Sequence, residues 1–107
     1  MLKNNCLLDI SKNGEELLVR ITGEIDHHSA LRIRTQIDSQ INELRPRRTV
    51  LILSEIDFMD SSGLGLIMGR YTRMQALGGE LLISGASDRV LKILKLAGLD
   101  KIVKIEN

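Results

Sequence analysis

Two adjacent serines follow an aspartate near the middle of the chain, and their hydroxyls are the groups best suited to chemistry. The segment reads Phe58-Met59-Asp60-Ser61-Ser62-Gly63-Leu64-Gly65. An apolar run precedes it and apolar residues at helical spacing follow it, so we predict that Asp60 and Ser61 lie between a buried strand and a helix. A hydroxyl at a helix start can cap the helix, attack a substrate or accept a phosphate.

A second polar segment, Glu24 to Ser29, contains both histidines and follows an earlier predicted strand. Partners of open parallel sheets meet the carboxyl ends of the strands, so topology predicts that the two segments are neighbours. The simplest interpretation of the second segment is a helix start, capped by Asp26, His28 or Ser29, with Asp26 and Ser29 the better candidates. For Asp60-Ser61 the simplest interpretation is also a cap.

A serine hydrolase is the enzymatic alternative, with Ser61 as nucleophile and His28 as base. The nucleophile motif G-x-S-x-G is absent, because Met59 stands where its first glycine would be. Both histidines directly follow Asp26, so the three side chains must diverge. These residues therefore disfavour a serine hydrolase.

Cofactor and metal sites are also disfavoured. The glycines from Gly63 to Gly69 are spaced one residue too widely for a dinucleotide fingerprint, and they fall inside a predicted helix. No Walker A motif occurs, and Asp26-His27-His28 lacks the spacing of a metal site. A receiver domain with Asp60 as phosphate acceptor would need an acidic pair after the first strand, where Asp9 stands alone. We expect no cofactor and no metal.

A phosphoserine switch is the remaining alternative for this segment. A phosphate at a helix start meets free N–H groups and the positive end of the helix dipole. Phosphorylation adds about −1.5 to −2 charges beside Asp60, with Glu24 and Asp26 predicted nearby. A partner fitted to the neutral surface would then be repelled without any change of fold.

The composition restricts the remaining function classes. The 107 residues predict one domain, 1–107, and 15 basic against 14 acidic residues give no field toward nucleic acid or an anionic membrane. Cys6 is the one cysteine, which excludes an internal disulfide. The first six residues lack a signal-peptide pattern, and no apolar run reaches the roughly 20 residues of a membrane span. We expect a soluble cytoplasmic protein that binds neither nucleic acid nor membrane.

The remaining pattern predicts an α/β domain of order ββαβαβαβ. Its strands are predicted at 7–10, 16–23, 49–53, 80–84 and 102–105, with a hairpin turn at Asn13-Gly14 and a loop at 54–57. Three helices are predicted from Ala30 to Pro46, from Gly63 to Gly78, and from Ser87 to Gly98. Alternating strands and helices imply a mixed, mainly parallel sheet of four to five strands with the helices mainly on one face.

The helices differ in which residues we expect to bury. Apolar residues at helical spacing predict the core faces Ala30, Ile33, Ile37, Ile41 and Leu44, then Leu64, Ile67, Tyr71 and Met74, then Val90, Ile93, Leu94 and Ala97. Leu66 lies off the second stripe and is predicted to be exposed. Packing is the preferred role for Cys6, and surface charge is the preferred role for Arg70.

Several of these segments together resemble the anti-sigma factor antagonists of the STAS family. The resemblance rests on Gly23 to His28, Phe58 to Gly65, Gly69-Arg70-Tyr71 and Gly78-Gly79-Glu80, in order and spacing over nearly the whole chain. The Asp-His-His run is more typical of the sporulation member, the antagonist of the anti-sigma-F factor, than of its stress-response relatives. One departure is that the family often has a further C-terminal helix, which would lie beyond Asn107.

The resemblance implies a STAS-like fold and a partner-switching function. It implies a protein that is a substrate and binding module, not an enzyme. Its unphosphorylated form would bind an anti-sigma factor that is also a serine kinase, and so free the sigma factor. Kinase action on the serine after the aspartate, here Ser61, would switch binding off, and a serine phosphatase would reverse it. The predicted partner-binding residues are Glu24, Asp26, His27, His28, Asp60, Ser61, Ser62, Gly63, Leu64, Gly65, Leu66 and, at the edge, Ser87. A different, stress-response sigma pathway remains the alternative.

Overall fold

The computed structural model describes residues 6–106, and residues 1–5 and Asn107 lie outside the described part. The prediction that the first six residues do not form a signal peptide therefore falls mostly on residues that are not described. The described chain forms strands and helices in the predicted order. Its elements are β1 Cys6–Asn13, β2 Glu16–Ile25, α1 His27–Leu44, β3 Arg48–Met59, α2 Ser61–Ala76, β4 Glu80–Ser84, α3 Asp88–Leu96, a 3-10 turn Leu99–Lys101 and β5 Lys104–Glu106.

The five strands form one sheet in the order β1-β2-β3-β4-β5, so each strand pairs with its neighbour along the chain. β1 and β2 pair antiparallel as a hairpin, and the other pairs are parallel. Each helix connects two parallel neighbours, and the three crossovers advance in the same direction across the sheet. Right-handed crossovers of this kind place all three helices on one face, which confirms the predicted fold.

The core lies between this helical face and the sheet. Alternate residues of the central strands point into it, and they are fully buried against the inner faces of the helices. On α1 the predicted stripe is correct, with Ala30, Ile33, Ile37 and Ile41 all buried. Cys6 is 1% exposed and belongs to the same cluster, which confirms its packing role.

β3 is longer than predicted, and the predicted loop at 54–57 is wrong. The strand continues to Met59 because it accommodates two irregularities, each with one more residue on β3 than on β2. Such bulges break the two-residue alternation that identifies strands in a sequence. The buried residues of the second half therefore recur at every third position, as Leu53, Ile56 and Met59.

Two predictions about α2 are wrong, because this helix buries two faces instead of one. Leu66 and Arg70, expected to be exposed, are only 4% and 5% exposed. Both belong to a stripe that packs on α1, whereas the predicted stripe faces the sheet. The Arg70 guanidinium Nε lies 2.8 Å from Oδ1 of Asp38 on α1, without hydrogen-bond alignment, and its Nη2 donates to Oδ2 at 3.2 Å.

The other differences concern element ends. β2 reaches Ile25 and α1 starts at His27, so the polar segment between them shrinks to Asp26. β1 is longer and β5 begins two residues later than predicted. On α3, Val90 and Leu94 are buried as predicted, whereas Ala97 is exposed. No helix in residues 6–106 is long and apolar enough to cross a membrane.

Candidate functional site

The start of α2 exposes a serine whose hydroxyl has no structural task. Asp60 is the N-cap residue, and its carboxylate accepts a hydrogen bond from the Ser62 N–H at 2.8 Å. Ser61 is the first residue of the helix and is exposed. Its hydroxyl makes no hydrogen bond to any residue in the range 6–106, so it is free to react or to meet a partner.

Glycine at position 63 is required by the close packing of this helix start on the end of β3. A Cβ atom at Gly63 would overlap Cγ and Sδ of Met59, and Met59 is itself 3% exposed. Gly65 differs, because a Cβ atom there would meet nothing within 4 Å. The first glycine therefore seats the helix, and the second leaves open space on its surface.

The start of α1 is closed by a complete capping box. The Asp26 carboxylate accepts from the Ser29 N–H at 2.9 Å, and the Ser29 hydroxyl accepts from the Asp26 N–H at 2.9 Å. The same hydroxyl is also 3.2 Å from the carbonyl oxygen of Glu24. Both predicted capping residues, Asp26 and Ser29, thus contribute to one cap.

The two helix starts lie side by side, as topology predicted. Parallel pairing continues to the ends of both strands, where Glu24 aligns with Phe58 and Ile25 with Met59. The Asp60 N–H then donates to the carbonyl of Ile25 at 3.2 Å. This hydrogen bond ties the residue before Ser61 directly to the residue before Asp26.

The histidines are exposed and are not arranged for catalysis. The rings of His27 and His28 contact each other edge to face, with centroids 5.7 Å apart. Neither donates to or accepts from Ser61 in the described chain, so the geometry gives no support to the hydrolase alternative. Within residues 6–106 no group of three or more His, Cys, Asp or Glu is placed to hold a metal ion.

Ser87 lies at the start of α3, which follows β4, the strand that pairs with β3 on the side away from β2. Its hydroxyl accepts from the Val90 N–H at 3.2 Å, so it is used as a cap. In the first turn of α3, the guanidinium of Arg89 donates to the carbonyl of Asp57 at 3.3 Å. Ser87 thus follows β4 at the same carboxyl end of the sheet, and its hydroxyl is already engaged.

Carboxylates surround the two helix starts. Asp26 and Asp60 cap the helices, and Glu24 and Asp57 lie on the strand ends that precede them. The pKa of the Asp26 carboxyl is lowered, because it accepts hydrogen bonds from the backbone and hydroxyl of Ser29 and lies near His28. A dianion added at Ser61 would therefore enter a region that already carries negative charge.

Sequence reasoning missed two exposed apolar side chains at this end of the molecule. Phe58, the last-but-one residue of β3, is 49% exposed, and Leu31, on the first turns of α1, is 47% exposed. Phe58 belongs to the motif from Phe58 to Gly65, and its position in that motif does not indicate whether it is exposed. The signal for Leu31 was its position off the buried stripe of α1, next to Ala30.

Comparison with known proteins gives the family. The model of the STAS domain matches residues 8–107. The anti-sigma F factor antagonist of Paenibacillus polymyxa is 38% identical over 94% of this chain and 86% of its own length. The anti-sigma-B factor antagonist of Bacillus subtilis (strain 168) is 30% identical over 94% of this chain and 91% of its own.

Solved structures agree with this fold. The unphosphorylated form of the anti-sigma factor antagonist SpoIIAA superposes with a TM-score of 0.82 at 27% identity, covering 94% of this chain and 89% of SpoIIAA. The phosphorylated form of Bacillus SpoIIAA gives a TM-score of 0.75 at 26% identity, over 94% and 92% of the two chains. From the family model, the relatives and the shared five-stranded fold, the chain belongs to the STAS domain family.

Proposed function

We propose that this protein is an anti-sigma factor antagonist controlled by phosphorylation of Ser61. Its unphosphorylated form binds an anti-sigma factor that has serine kinase activity, and the sigma factor is released. Phosphorylation by that kinase ends the interaction, and a serine phosphatase restores it. The protein is then the substrate of these enzymes and needs no catalytic group or cofactor of its own.

The exposed, unbonded Ser61 hydroxyl carries this proposal. The Ser29 hydroxyl completes the α1 cap and the Ser87 hydroxyl caps α3. Ser61 is the residue directly after the Asp60 cap, so it can be modified without breaking the helix start. Further support comes from the relatives named as anti-sigma factor antagonists and from SpoIIAA, solved in both phosphorylation states.

The partner-binding surface of the proposal comprises the two helix starts. Asp26, His27, His28, Ser61 and Gly65 are exposed and can touch a partner directly. The half-buried members contribute edges of the surface: Glu24, Asp60, Ser62, Leu64 and Ser87. Gly63 and Leu66 are buried, so they shape this surface from beneath.

The switch we propose is electrostatic. A phosphate on Ser61 adds about −1.5 to −2 charges next to Asp60 and close to Glu24 and Asp26. A partner surface fitted to neutral Ser61 then meets like charge and added bulk, which costs several kcal/mol. The helix dipole and free N–H groups at the start of α2 stabilise the phosphate locally, so the fold can remain unchanged.

A release assay tests the proposed function. The host's anti-sigma factor is bound to its sigma factor, and this protein is added while free sigma factor is measured by size-exclusion chromatography. Unmodified protein should release the sigma factor, and protein pretreated with the anti-sigma factor and ATP should not. Failure of the unmodified protein to bind any anti-sigma factor of its host would contradict the proposal.

The sporulation pathway is the favoured setting, in the cytoplasm. The anti-sigma F factor antagonist is 38% identical, against 30% for the anti-sigma-B factor antagonist, and the Asp26-His27-His28 run points the same way. The stress-response pathway is the second candidate. Titration against both kinds of anti-sigma factor distinguishes them, since the correct partner should bind the more tightly.

A further inference from the structure

A groove runs between the amino-terminal halves of α1 and α2. Its volume is about 240 Å³, and two helical stripes line it. The α1 stripe is His27, Ala30, Leu31 and Arg34, and the α2 stripe is Ser62, Gly65 and Leu66. These positions are spaced by three and four residues, so each stripe is one face of its helix.

The ion pair between Asp38 and Arg70 lies one helical turn beyond the groove. Asp38 lies one turn after Arg34 on α1, and Arg70 lies one turn after Leu66 on α2. Their side chains meet at 2.8 Å, which holds the helices together beyond the groove. The groove thus lies between this ion pair and the helix start that exposes Ser61.

Arg34 gives the groove a positive charge that the described chain does not neutralise. Its side chain is exposed and no carboxylate in residues 6–106 lies within ion-pair distance of it. The nearest acid along α1, Asp38, is already paired with Arg70. Burial lowers the pKa of Arg70, and the charge of Arg34 lowers it further.

We infer that this groove binds an acidic segment of the anti-sigma factor, with one apolar side chain inserted over Gly65. A carboxylate of that segment pairs with Arg34, and the apolar side chain contacts Leu31, Ala30 and Leu66. The identity of the partner rests on the proposed function. The groove is continuous with the Ser61 surface, because Gly65 lies one turn after Ser61 on the same side of α2.

The size and lining of the groove favour a protein segment over a small ligand. Small-molecule pockets usually measure roughly 300–1,000 Å³ and bury most of their ligand. This groove is smaller, and its polar groups are one guanidinium, one imidazole and one hydroxyl at its rim. The exposed Leu31 and the empty space above Gly65 suit a side chain inserted from a docked surface.

Occupation of the groove also extends the phosphoserine switch. Ser61 precedes Gly65 by one helical turn, and His27 lines the groove opposite Ser62. A phosphate on Ser61 adds negative charge to the same surface that the acidic segment contacts. The same modification thus repels the carboxylates of the partner.

Gly65→Leu tests the groove without damage to the fold. Its Cβ atom meets nothing within 4 Å, and leucine is a better helix former than glycine, so the variant should unfold at the same temperature or a higher one. Gly69→Leu is the matched control, because its Cβ is equally unhindered and it lies outside the groove. In calorimetric titration with the host's anti-sigma factor, Gly65→Leu should bind at least tenfold more weakly than the wild type. Gly69→Leu should bind less than threefold more weakly.

Charge reversal tests the acidic partner. Arg34→Glu should weaken binding at least tenfold, Arg34→Lys should retain it within about threefold, and Arg20→Glu, on the helix-free face of the sheet, should have no effect. Wild-type affinity of both Gly65→Leu and Arg34→Glu would overturn the inference. If the wild type binds and accepts phosphate on Ser61 in that case, the proposed function stands; if it does neither, the proposed function fails separately.

Discussion

The starts of α1 and α2 are capped alike by an aspartate, but they differ in whether a serine hydroxyl takes part in the cap. Each begins after a parallel strand with an aspartate N-cap, Asp26 or Asp60. Three residues later α1 has Ser29, which completes a capping box, and α2 has Gly63, which has no side chain to do so. The Ser29 hydroxyl is therefore part of a cap, whereas the Ser61 hydroxyl makes no hydrogen bond within residues 6–106.

Under the proposed function, this difference explains why Ser61 and not Ser29 is the residue that is modified. Loss of the Ser29 hydroxyl would remove a hydrogen bond that closes α1. Nothing in the described fold depends on the Ser61 hydroxyl, since Asp60 caps α2 through the N–H of Ser62. A phosphorylation site benefits from this separation, because the switch can act on binding without acting on stability.

The largest expected effect comes from a charge at Ser61. Ser61→Asp should weaken binding to the anti-sigma factor roughly 100-fold, because like charges across an interface cost several kcal/mol. Ser61→Asn is the matched control, with nearly the same size and no charge, and should bind far more tightly than Ser61→Asp. Equal affinities of the two variants in calorimetric titration would contradict the electrostatic switch.

The ion pair that holds the two helices together should give the largest effect on stability. Arg70→Met leaves Asp38 without its partner and should lower the free energy of unfolding by about 2–3 kcal/mol, less than for a fully buried pair because Asp38 is partly exposed. The double variant Asp38→Leu, Arg70→Met should recover part of this loss. Urea unfolding measures both, and a double variant less stable than Arg70→Met alone would argue against the pair.

The two glycines of α2 should respond in opposite directions. Gly63→Ala places a methyl group against Met59 and should destabilise the protein by about 1–3 kcal/mol. Gly65→Ala should stabilise it by up to about 1 kcal/mol, because alanine is the better helix former and its methyl group meets nothing. Thermal unfolding of the pair checks the assignment, which would be wrong if Gly63→Ala were the more stable.

Loss of the Asp60 cap of α2 should have a moderate effect on the stability of the protein. Asp60→Ala removes the acceptor of the Ser62 N–H and should cost about 1 kcal/mol, whereas Asp60→Asn keeps an acceptor and should cost only a few tenths. Urea unfolding distinguishes these outcomes. A loss as large for asparagine as for alanine would show that the charge of Asp60, instead of its hydrogen bond, stabilises the helix start.

The smallest effect is a pH dependence at α1. The pKa of Asp26 is lowered in the folded protein, so its stabilising effect is present above the unfolded pKa of about 3.9 and disappears as the pH falls through the lower folded value. Wild-type stability should therefore decline in acid more than that of Asp26→Asn. If the stability of the two proteins fell equally as the pH was lowered, Asp26 would not be the cause of the pH dependence.

The sequence predicts regular elements well because their periodicities are simple. The α1 stripe, the hairpin at Asn13-Gly14 and the order of strands and helices were all recognisable, and so was the proximity of the two polar segments. The second half of β3 was not, since its two bulges replace alternation by a three-residue spacing. Bulges depend on pairing with β2, which a single strand's sequence does not contain.

The second buried face of α2 was missed for a related reason. Arg70 and Leu66 are buried by α1, and the sequence of α2 alone cannot indicate that another helix covers that side. An arginine is also read as exposed unless its partner is known, and Asp38 is 32 residues away. Long-range packing therefore determines the burial of these residues, whereas the local sequence determines the helix caps.

Identification of the phosphorylated residue tests the central claim most directly. Wild-type protein is incubated with the host's anti-sigma factor and ATP, then analysed by intact mass and peptide mapping, with Ser61→Ala and Ser62→Ala in parallel. We predict a single phosphate on Ser61, its loss in Ser61→Ala and its retention in Ser62→Ala. A phosphate on Ser62 or another residue, or none in the presence of a kinase that binds the protein, would contradict the account.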